Sequence, residues 1–575
     1  MSSSAVSSPP MSIVRGIPLE DEPGLGALTI PGYLRDVTAR YADREALVMH
    51  TPDGIARWSY TTLWQKSMEV AKALIASGLD KDGRVGILMT NRPEYLSAVF
   101  GTALAGGVSV GLSTFSTTNE MDYLLAASGV SFVLFDGRIL KRDFGAMLAE
   151  LEPQIHRVAP GQLQSSRFPF LRHLVRLPAV AEDSSDDPTN AAGLESWNDF
   201  LARGRGVADA VVDARTASVT AASAGGLFFS SGTTSLPKGI LHSQRAFALQ
   251  WWRYPRIMKV EGTIRSWTGN GFFWSGNISM TVGLALSTGG AIVLQPYFEP
   301  ELALKLIEVE RVNFLSGRVH QWARLLAAPN WQSVDLGSLR YITSGEMLRV
   351  HPTVSADWTV PMAYGATETM TINTSNAADS STQEKAGSFG VPLPGNLLKI
   401  VDVETGAVVP RGQRGEVCIK GPTLMQGYIG KTAEETFDDD GYFHTGDGGY
   451  VDDDGHLFWQ GRLTEIIKTG GANVSPLEID DVLAMYPGIR RAQTVGVPHD
   501  TLSEMVVSCV VPQAGVALDE AAIRAFLKER MASYKIPRRV LILREDEVPV
   551  TGNGKVKTVE LRQLAAQRVG ASAPV

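Results

Sequence analysis

Hydrophobic and polar positions follow two alternating periods along most of the chain. Residues 62–77 carry apolar side chains at helical spacing, and residues 84–89 (RVGILM) form a short apolar run suited to a buried strand. Residues 95–106 predict a second apolar helix and residues 130–135 (VSFVLF) a second strand. The theme returns with strands at 227–229, 291–294, 313–315 and 341–343, and with helices such as 300–309 between them. Such alternation predicts layered α/β structure on largely parallel sheets. Residues 160–190, rich in Pro, Ser and Asp, read as a surface excursion.

After residue 391 the pattern shortens. Strands at 398–403, 415–421, 449–452 and 457–459, separated by Gly, Asp and Pro, predict a small β-rich subdomain over about 391–462. Beyond it, helices at 477–485 and 520–532 and strands at 494–497 and 506–511 predict a compact α+β unit. The fold class is therefore α/β. A large N-terminal domain of layered α/β subdomains, with the β-rich subdomain at its end, spans 26–462. A small α+β C-terminal domain spans 463–575, a segment of about 110 residues and long enough to fold independently. Residues 1–25 are expected to be a disordered tail: the serine- and proline-rich start has neither the basic region nor the apolar core of a signal peptide.

Composition narrows the function classes. Of the 575 residues, 44% are apolar and 20% charged, the range of globular domains. The net charge, 53 − 61 = −8, argues against a general nucleic-acid binder. Two cysteines, Cys418 and Cys509, cannot build a disulfide framework or a four-cysteine zinc site, so a reducing, cytoplasmic setting is expected. No apolar run of 18 or more residues predicts an integral membrane segment; the nearest, 95–118, is broken by Gly, Ser and Thr.

The sharpest local signal is FSSGTTSLPKG, residues 229–239. Its glycines let backbone N–H groups approach phosphate oxygens, its hydroxyls add donors, and Lys238 adds a point charge. Taken alone, it also fits a polar turn between a strand and a helix. It lacks the G-K-[ST] order of a Walker loop. The one G-x-S-x-G match, residues 107–111, follows an apolar helix where a nucleophile elbow would follow a strand, and is read as packing.

Further motifs follow in order: YGATET (364–369), YFHTGD (442–447), GRLTE (461–465), GGANVSP (470–476) and TGNGK (551–555). With the 229–239 loop, this ordered set resembles the adenylate-forming enzymes: acyl-CoA synthetases, peptide-synthetase adenylation domains and luciferases. The resemblance covers nearly the whole chain from about Ala42 and is strongest to a fatty-acid or aryl acyl-CoA ligase of fatty-acid metabolism. It implies a two-step reaction. A carboxylate attacks the α-phosphate of ATP to give an acyl-adenylate and pyrophosphate, and a nucleophile then displaces AMP.

The resemblance also assigns roles. Thr233, Thr234 and Lys238 would bind the β- and γ-phosphates, with Ser230, Ser231 and Gly232 also in the nucleotide site, and Thr367 would contact the α-phosphate. Glu368 would hold Mg²⁺, which favours carboxylate and water oxygens. Tyr364 and Gly365 would lie by the adenine, with Gly345, Glu346 and Met347 forming the wall beside it. Asp447 would accept both ribose hydroxyls, with Arg462 beside it. Lys555, in a small domain that is mobile in such enzymes, would bridge the carboxylate and the α-phosphate as the catalytic lysine. Thr464 would sit at the hinge, where relatives usually carry Asp or Lys, and Gly470 and Gly471 would border a CoA tunnel.

Three departures stand out. Ser235 replaces a glycine common in the phosphate loop. His320, in Arg318-Val319-His320, falls where relatives often have Val-Pro-Thr, so it could face the acid site or AMP, or simply pack. Trp274, in GFFWSG (271–276), falls where many relatives have histidine. Phe273, Trp274 and Gly276 are expected to border the acid pocket, while Phe272, Trp251 and Trp252 could contribute apolar surface or belong to the core. An apolar pocket suits a medium-chain, aryl or alicyclic acid. The expected small molecules are this acid, ATP, Mg²⁺ and CoA, with Arg490, Arg491 and Lys535 available to the phosphates of CoA. An amide synthetase acting on an amine or amino acid and an acyl loader for a carrier protein remain alternatives. No nucleic-acid partner is expected, and a homodimer is left open.

Overall fold

The computed structural model describes residues 10–180, 191–230, 237–343, 346–356, 358–376, 387–465, 467–469, 472–499, 502–531, 535–550 and 556–570. Within them, the predicted strand at 84–89 is Arg84–Leu88, at the middle of an eight-stranded sheet. Its neighbours are Phe132–Asp136 and Val108–Gly111, both parallel to it. Beyond Val108–Gly111 comes Ala224–Ser230, also parallel, then the antiparallel strands Lys238–Ser243 and Gly427–Tyr428. A six-stranded sheet runs in the order Tyr341–Ile342, Phe314–Ser316, Arg265–Thr268, Ala291–Leu294, Glu45–Thr51 and Gly54–Ser59, parallel except at its last pair.

Helices fill the space between these sheets. One apolar cluster takes Leu47 and Ile292 from the six-stranded sheet, Val85 and Phe132 from the eight-stranded sheet, and Leu63, Phe100 and Trp251 from intervening helices. Separate clusters cover the outer faces, around Phe135 and Leu148 on one side and Leu306 and Trp322 on the other. The helices start where the sequence offers caps. Ser59 accepts from Thr62 N at the head of Tyr60–Ala76, and Thr117 and Glu120 close a capping box on Thr118–Ser128.

The β-rich subdomain is an antiparallel five-stranded sheet in the order Ile13–Arg15, Leu397–Val401, Gly415–Lys420, Phe443–Val451, Leu457–Arg462. The α+β unit beyond it pairs the long strands Ile489–His499 and Ser503–Pro512, flanked by Arg539–Ile542, Ile467–Thr469 and Ala472–Val474. The helices Pro476–Ala484, Glu520–Lys528 and Thr558–Gly570 pack on it. No helix of the described residues is long and apolar enough to cross a membrane.

Three sequence expectations need correction. Residues 160–190 are not wholly a surface excursion: His173–Leu177 is a buried strand of the eight-stranded sheet, where the His173 ring stacks on Phe132 at 4.5 Å. The tail expected to run to residue 25 joins the fold from Met11 onward. Ile13–Arg15 pairs with Leu397–Val401, and Glu22 is buried in an ion pair with Arg253. The element that follows the 229–237 segment is a strand, where the polar-turn reading places a helix. Lys238–Ser243 turns back on Ala224–Ser230, so Ile240 lies opposite Phe228 and both apolar faces are covered.

Candidate functional site

The described start of the FSSGTTSLPKG motif lies at the carboxyl end of a parallel strand, where open α/β sheets place their ligands. Ser230 ends one strand and lies opposite Lys238, at the start of the returning one. The Pro237 carbonyl accepts from Tyr123 Oη at 3.0 Å, which anchors the hairpin. Lys238 Nζ lies 5.2 Å from the ring centre of Tyr428, within cation–π range. Tyr428 Oη donates to Glu368 Oε1 at 2.8 Å. Burial first, and the Glu368 carboxylate second, push the Tyr428 hydroxyl up, so it stays protonated and can donate. Lys238, Tyr428 and Glu368 thus form one chain of contacts.

Glu368 lies in the short 3-10 turn Thr367–Thr369. Two residues further on, Met370 and Thr371 take left-handed φ values of 48° and 89°. Gly365 lets this turn close, because a Cβ there would lie 1.8 Å from the Thr371 carbonyl oxygen. Under the turn, His242 Nε2 contacts the Thr367 carbonyl at 2.7 Å. A carbonyl only accepts, so Nε2 carries the proton. Burial pushes this imidazole down to about 4, and it is neutral near pH 7.

A second polar cluster lies on the β-rich sheet. Tyr364 Oη donates to Asp447 Oδ2 at 2.6 Å, and Asp447 N donates to Thr445 Oγ1 at 3.0 Å. Arg462, opposite Asp447 in the ladder, sets Nε 3.1 Å from Asp447 Oδ1 and donates from Nη1 to the Thr445 carbonyl at 2.7 Å. Asp447 is only 3% exposed, yet Oδ1 accepts no aligned hydrogen bond among the described residues. A buried carboxylate with spare acceptor capacity suits a ligand bearing hydroxyl donors. Glu416 backs the strand, accepting from Gly446 N at 2.9 Å and contacting His444 Nδ1 at 2.7 Å.

Aromatic side chains line the adjoining loops. Phe273 packs edge-to-face on Phe115 at 5.9 Å and lies 5.3 Å from Trp274. Phe115 follows the carboxyl end of Val108–Gly111 and is 69% exposed, which leaves most of its ring open. Gly276 adjoins the Glu368 turn, since a Cβ there would lie 3.7 Å from Thr371 Cγ2. Phe272 packs on Tyr95, while Trp251 and Trp252 pack on Tyr33, so these three belong to the core and not to a pocket wall.

Contacts link Ser230 and Lys238 through the strand pairing, Lys238 to Glu368 through Tyr428, Gly365 and Gly276 to Thr371 beyond Thr367 and Glu368, Tyr364 to Asp447 and Arg462, and Phe273 to Trp274. Glu346 and Met347 start the 3-10 turn Glu346–Val350, His320 is in the first turn of Val319–Leu326, and Thr464 is in the 3-10 turn Leu463–Glu465. Ser231, Gly232, Thr233, Thr234, Ser235, Gly345, Gly470, Gly471 and Lys555 lie outside the described residues. The cations expected to meet CoA are already engaged: Arg490 and Arg491 with Glu545, and Lys535 with Glu478 at 2.6 Å. Sequence reasoning missed His242, Gln250, Tyr254, Tyr428 and Phe115. All five look like ordinary residues of strands, a helix and a loop.

Residues 34–429 match the family model of the AMP-binding enzymes, and residues 478–555 match the C-terminal domain of the AMP-binding enzymes. The chain belongs to this family. It is 31% identical over 547 residues to the 3-[(3aS,4S,7aS)-7a-methyl-1,5-dioxo-octahydro-1H-inden-4-yl]propanoyl:CoA ligase of Mycobacterium tuberculosis, covering 93% of this chain and 99% of that protein. It is 31% identical over 517 residues to the indoleacetate–CoA ligase of Aromatoleum aromaticum, covering 89% and 94%. Among solved structures, ATP-bound MatB from Rhodopseudomonas palustris superposes with a TM-score of 0.73 at 25% identity, covering 94% of this chain and 99% of that one.

Proposed function

We propose that this chain activates a hydrophobic carboxylic acid of medium-chain, aryl or alicyclic type with ATP and transfers the acyl group to CoA. The observation that carries this reading is that the segment 364–371 contacts three surfaces. These are the Lys238–Tyr428–Glu368 chain, the buried Asp447 carboxylate with its spare acceptor, and the Phe115–Phe273–Trp274 aromatic surface beside the Thr371 turn. Two relatives named for a ring-bearing propanoate and for indoleacetate lend support to the substrate class.

In this reading Asp447 accepts the ribose hydroxyls, Tyr364 fixes its carboxylate, and Ser230, Lys238 and the 231–234 segment hold the polyphosphate. The donor set fits a hard divalent cation. Glu368 is a half-buried carboxylate with one oxygen committed to Tyr428 and the other without a partner among the described residues. Glu368 would hold Mg²⁺, which supplies charge neutralisation at the phosphates. Thr367 contacts the α-phosphate. The acid's oxygen bonds to the α-phosphorus as the bond to pyrophosphate breaks, with Lys555 bridging the two anions. The thiol sulfur of CoA then bonds to the carbonyl carbon as the bond to AMP breaks and the thiol proton is released. Thr464 serves as the hinge, and Gly470 and Gly471 border the thiol's path.

The test is mass spectrometry of the purified protein with MgATP and a pool of fatty, aryl and alicyclic acids, with CoA, with mixed amines, or with neither. One acyl-CoA mass appearing with CoA alone supports the proposal and names the acid. An amide or adenylate with no thioester overturns it in favour of an amide synthetase.

A further inference from the structure

The turn that carries Thr367 and Glu368 is gripped from beneath by three polar side chains that the reaction itself does not use. His242 Nε2 donates to the Thr367 carbonyl at 2.7 Å. Gln250 Nε2 donates to the Met370 carbonyl at 2.9 Å and the Ile372 carbonyl at 2.8 Å. Tyr254 Oη shares a hydrogen bond with Thr371 Oγ1 at 2.5 Å. All three side chains are buried. They act at the point where Met370 and Thr371 hold left-handed backbone, a conformation disfavoured for residues with a Cβ that persists only when its surroundings impose it.

Their place in the chain gives the grip its meaning. His242 is on the strand that Lys238 begins, and Gln250 and Tyr254 are on Gln244–Ile257, the helix that follows at once. Spaced four apart, the two helical residues share one face. Ser243 caps that helix by accepting from Ala246 N, so strand and helix are joined without slack. The unit that positions Lys238 is therefore also the unit that holds the Glu368 turn, more than a hundred residues away in sequence.

We propose that His242, Gln250 and Tyr254 are positioning residues that set Thr367 and Glu368 in register with Lys238, so that cation and phosphates meet a prearranged frame. The inference rests on the roles proposed above for Thr367, Glu368 and Lys238. It goes beyond them by assigning the adenylation step's geometry to a buried clamp.

The test uses the full chain and the variants Gln250→Met, Tyr254→Phe, His242→Leu and His242→Asn. The first readout is amide hydrogen exchange over 366–372 without ligands. In Gln250→Met these amides exchange about tenfold or more faster, the scale of a lost buried hydrogen bond. The second is the Mg²⁺ dependence of pyrophosphate release. Half-saturation rises about three- to tenfold in Gln250→Met and in the same direction, less strongly, in Tyr254→Phe, while KM for the acid stays within about twofold. His242→Asn, which keeps an N–H donor, recovers most of what His242→Leu loses. Transfer to CoA from a supplied acyl-adenylate is largely retained. Unchanged exchange and an unchanged Mg²⁺ dependence in Tyr254→Phe and Gln250→Met overturn the clamp, as does an equal loss in both half-reactions. If Gln250→Met does not fold, Tyr254→Phe decides. If the parent protein forms no adenylate with any acid, the proposed function fails, and hydrogen exchange still reads the clamp.

Discussion

Tyr364 and Asp447, 83 positions apart, are joined by a 2.6 Å hydrogen bond that ties the strand Ala363–Tyr364, which pairs with Thr374–Ser375 beyond the Glu368 turn, to the β-rich subdomain. Burial first, and the Asp447 carboxylate second, hold the Tyr364 hydroxyl well above its usual range, so the phenol remains a donor at any physiological pH. Tyr364→Phe removes that donor and leaves Asp447 less well oriented. Its KM for ATP is expected to rise about five- to twentyfold with KM for the acid unchanged, as steady-state kinetics with each substrate varied in turn will read. Asp447→Asn should cost more, because it removes an acceptor where the ribose brings donors.

The N-terminal segment is held by a buried charge cluster. Glu22 accepts from Arg253 Nε at 2.8 and 3.0 Å and also pairs with Arg256, and the Glu22 and Arg253 side chains are fully buried. Glu22→Ala leaves Arg253 buried without its counter-charge, and should lower stability by about 3–5 kcal/mol. Chemical denaturation of both proteins measures it; a loss under about 1 kcal/mol would show that the segment is not anchored this way.

Much of the layered fold was legible because buried strands and helices carry their period locally. The strand at 291–294 and the helix at 300–309 fall where their apolar positions put them. The failures have physical causes. His173–Leu177 is a buried strand inside a polar, proline-rich stretch, so its neighbours hid it. Lys238–Ser243 pairs backwards because of the hairpin before it, a relationship no window of local periodicity contains. Lys238, Glu368 and Asp447 stand out in the sequence as members of ordered motifs. His242, Gln250 and Tyr254 do not, since their partners are carbonyls and a hydroxyl 117 to 125 positions away.

Phe115 should tune the acid without supporting the fold. It is mostly exposed and its ring meets Phe273 edge-to-face, a contact worth about 1 kcal/mol. Phe115→Ala is expected to lower kcat/KM for aryl acids about three- to tenfold relative to straight-chain acids, with the melting temperature nearly unchanged. Equal effects on both acid classes would remove it from the pocket wall.

Asp480, on the helix Pro476–Ala484, gives the small domain a pH-dependent weakness. Its Oδ1 is buried and accepts no well-aligned hydrogen bond among the described residues, and burial pushes its carboxyl up to about 7 from an ordinary 3.8. Between those values the folded state holds a proton that the unfolded state releases. The contribution is complete below pH 3.8 and falls as pH rises to about 7, by up to about 4 kcal/mol. Asp480→Asn should flatten this slope, read as hydrogen exchange of that helix corrected for intrinsic rates. The same slope in the variant would place the titration elsewhere.

The central claim is that acid activation and thiol transfer occur in sequence on this chain. It is tested most directly by a rapid-quench single turnover with limiting ATP, excess acid and Mg²⁺, with and without CoA. Acyl-adenylate and pyrophosphate should form in both reactions. AMP and acyl-CoA should then rise together, at the expense of the adenylate, only when CoA is present. AMP released at the same rate without CoA, with no thioester in either reaction, would contradict the account.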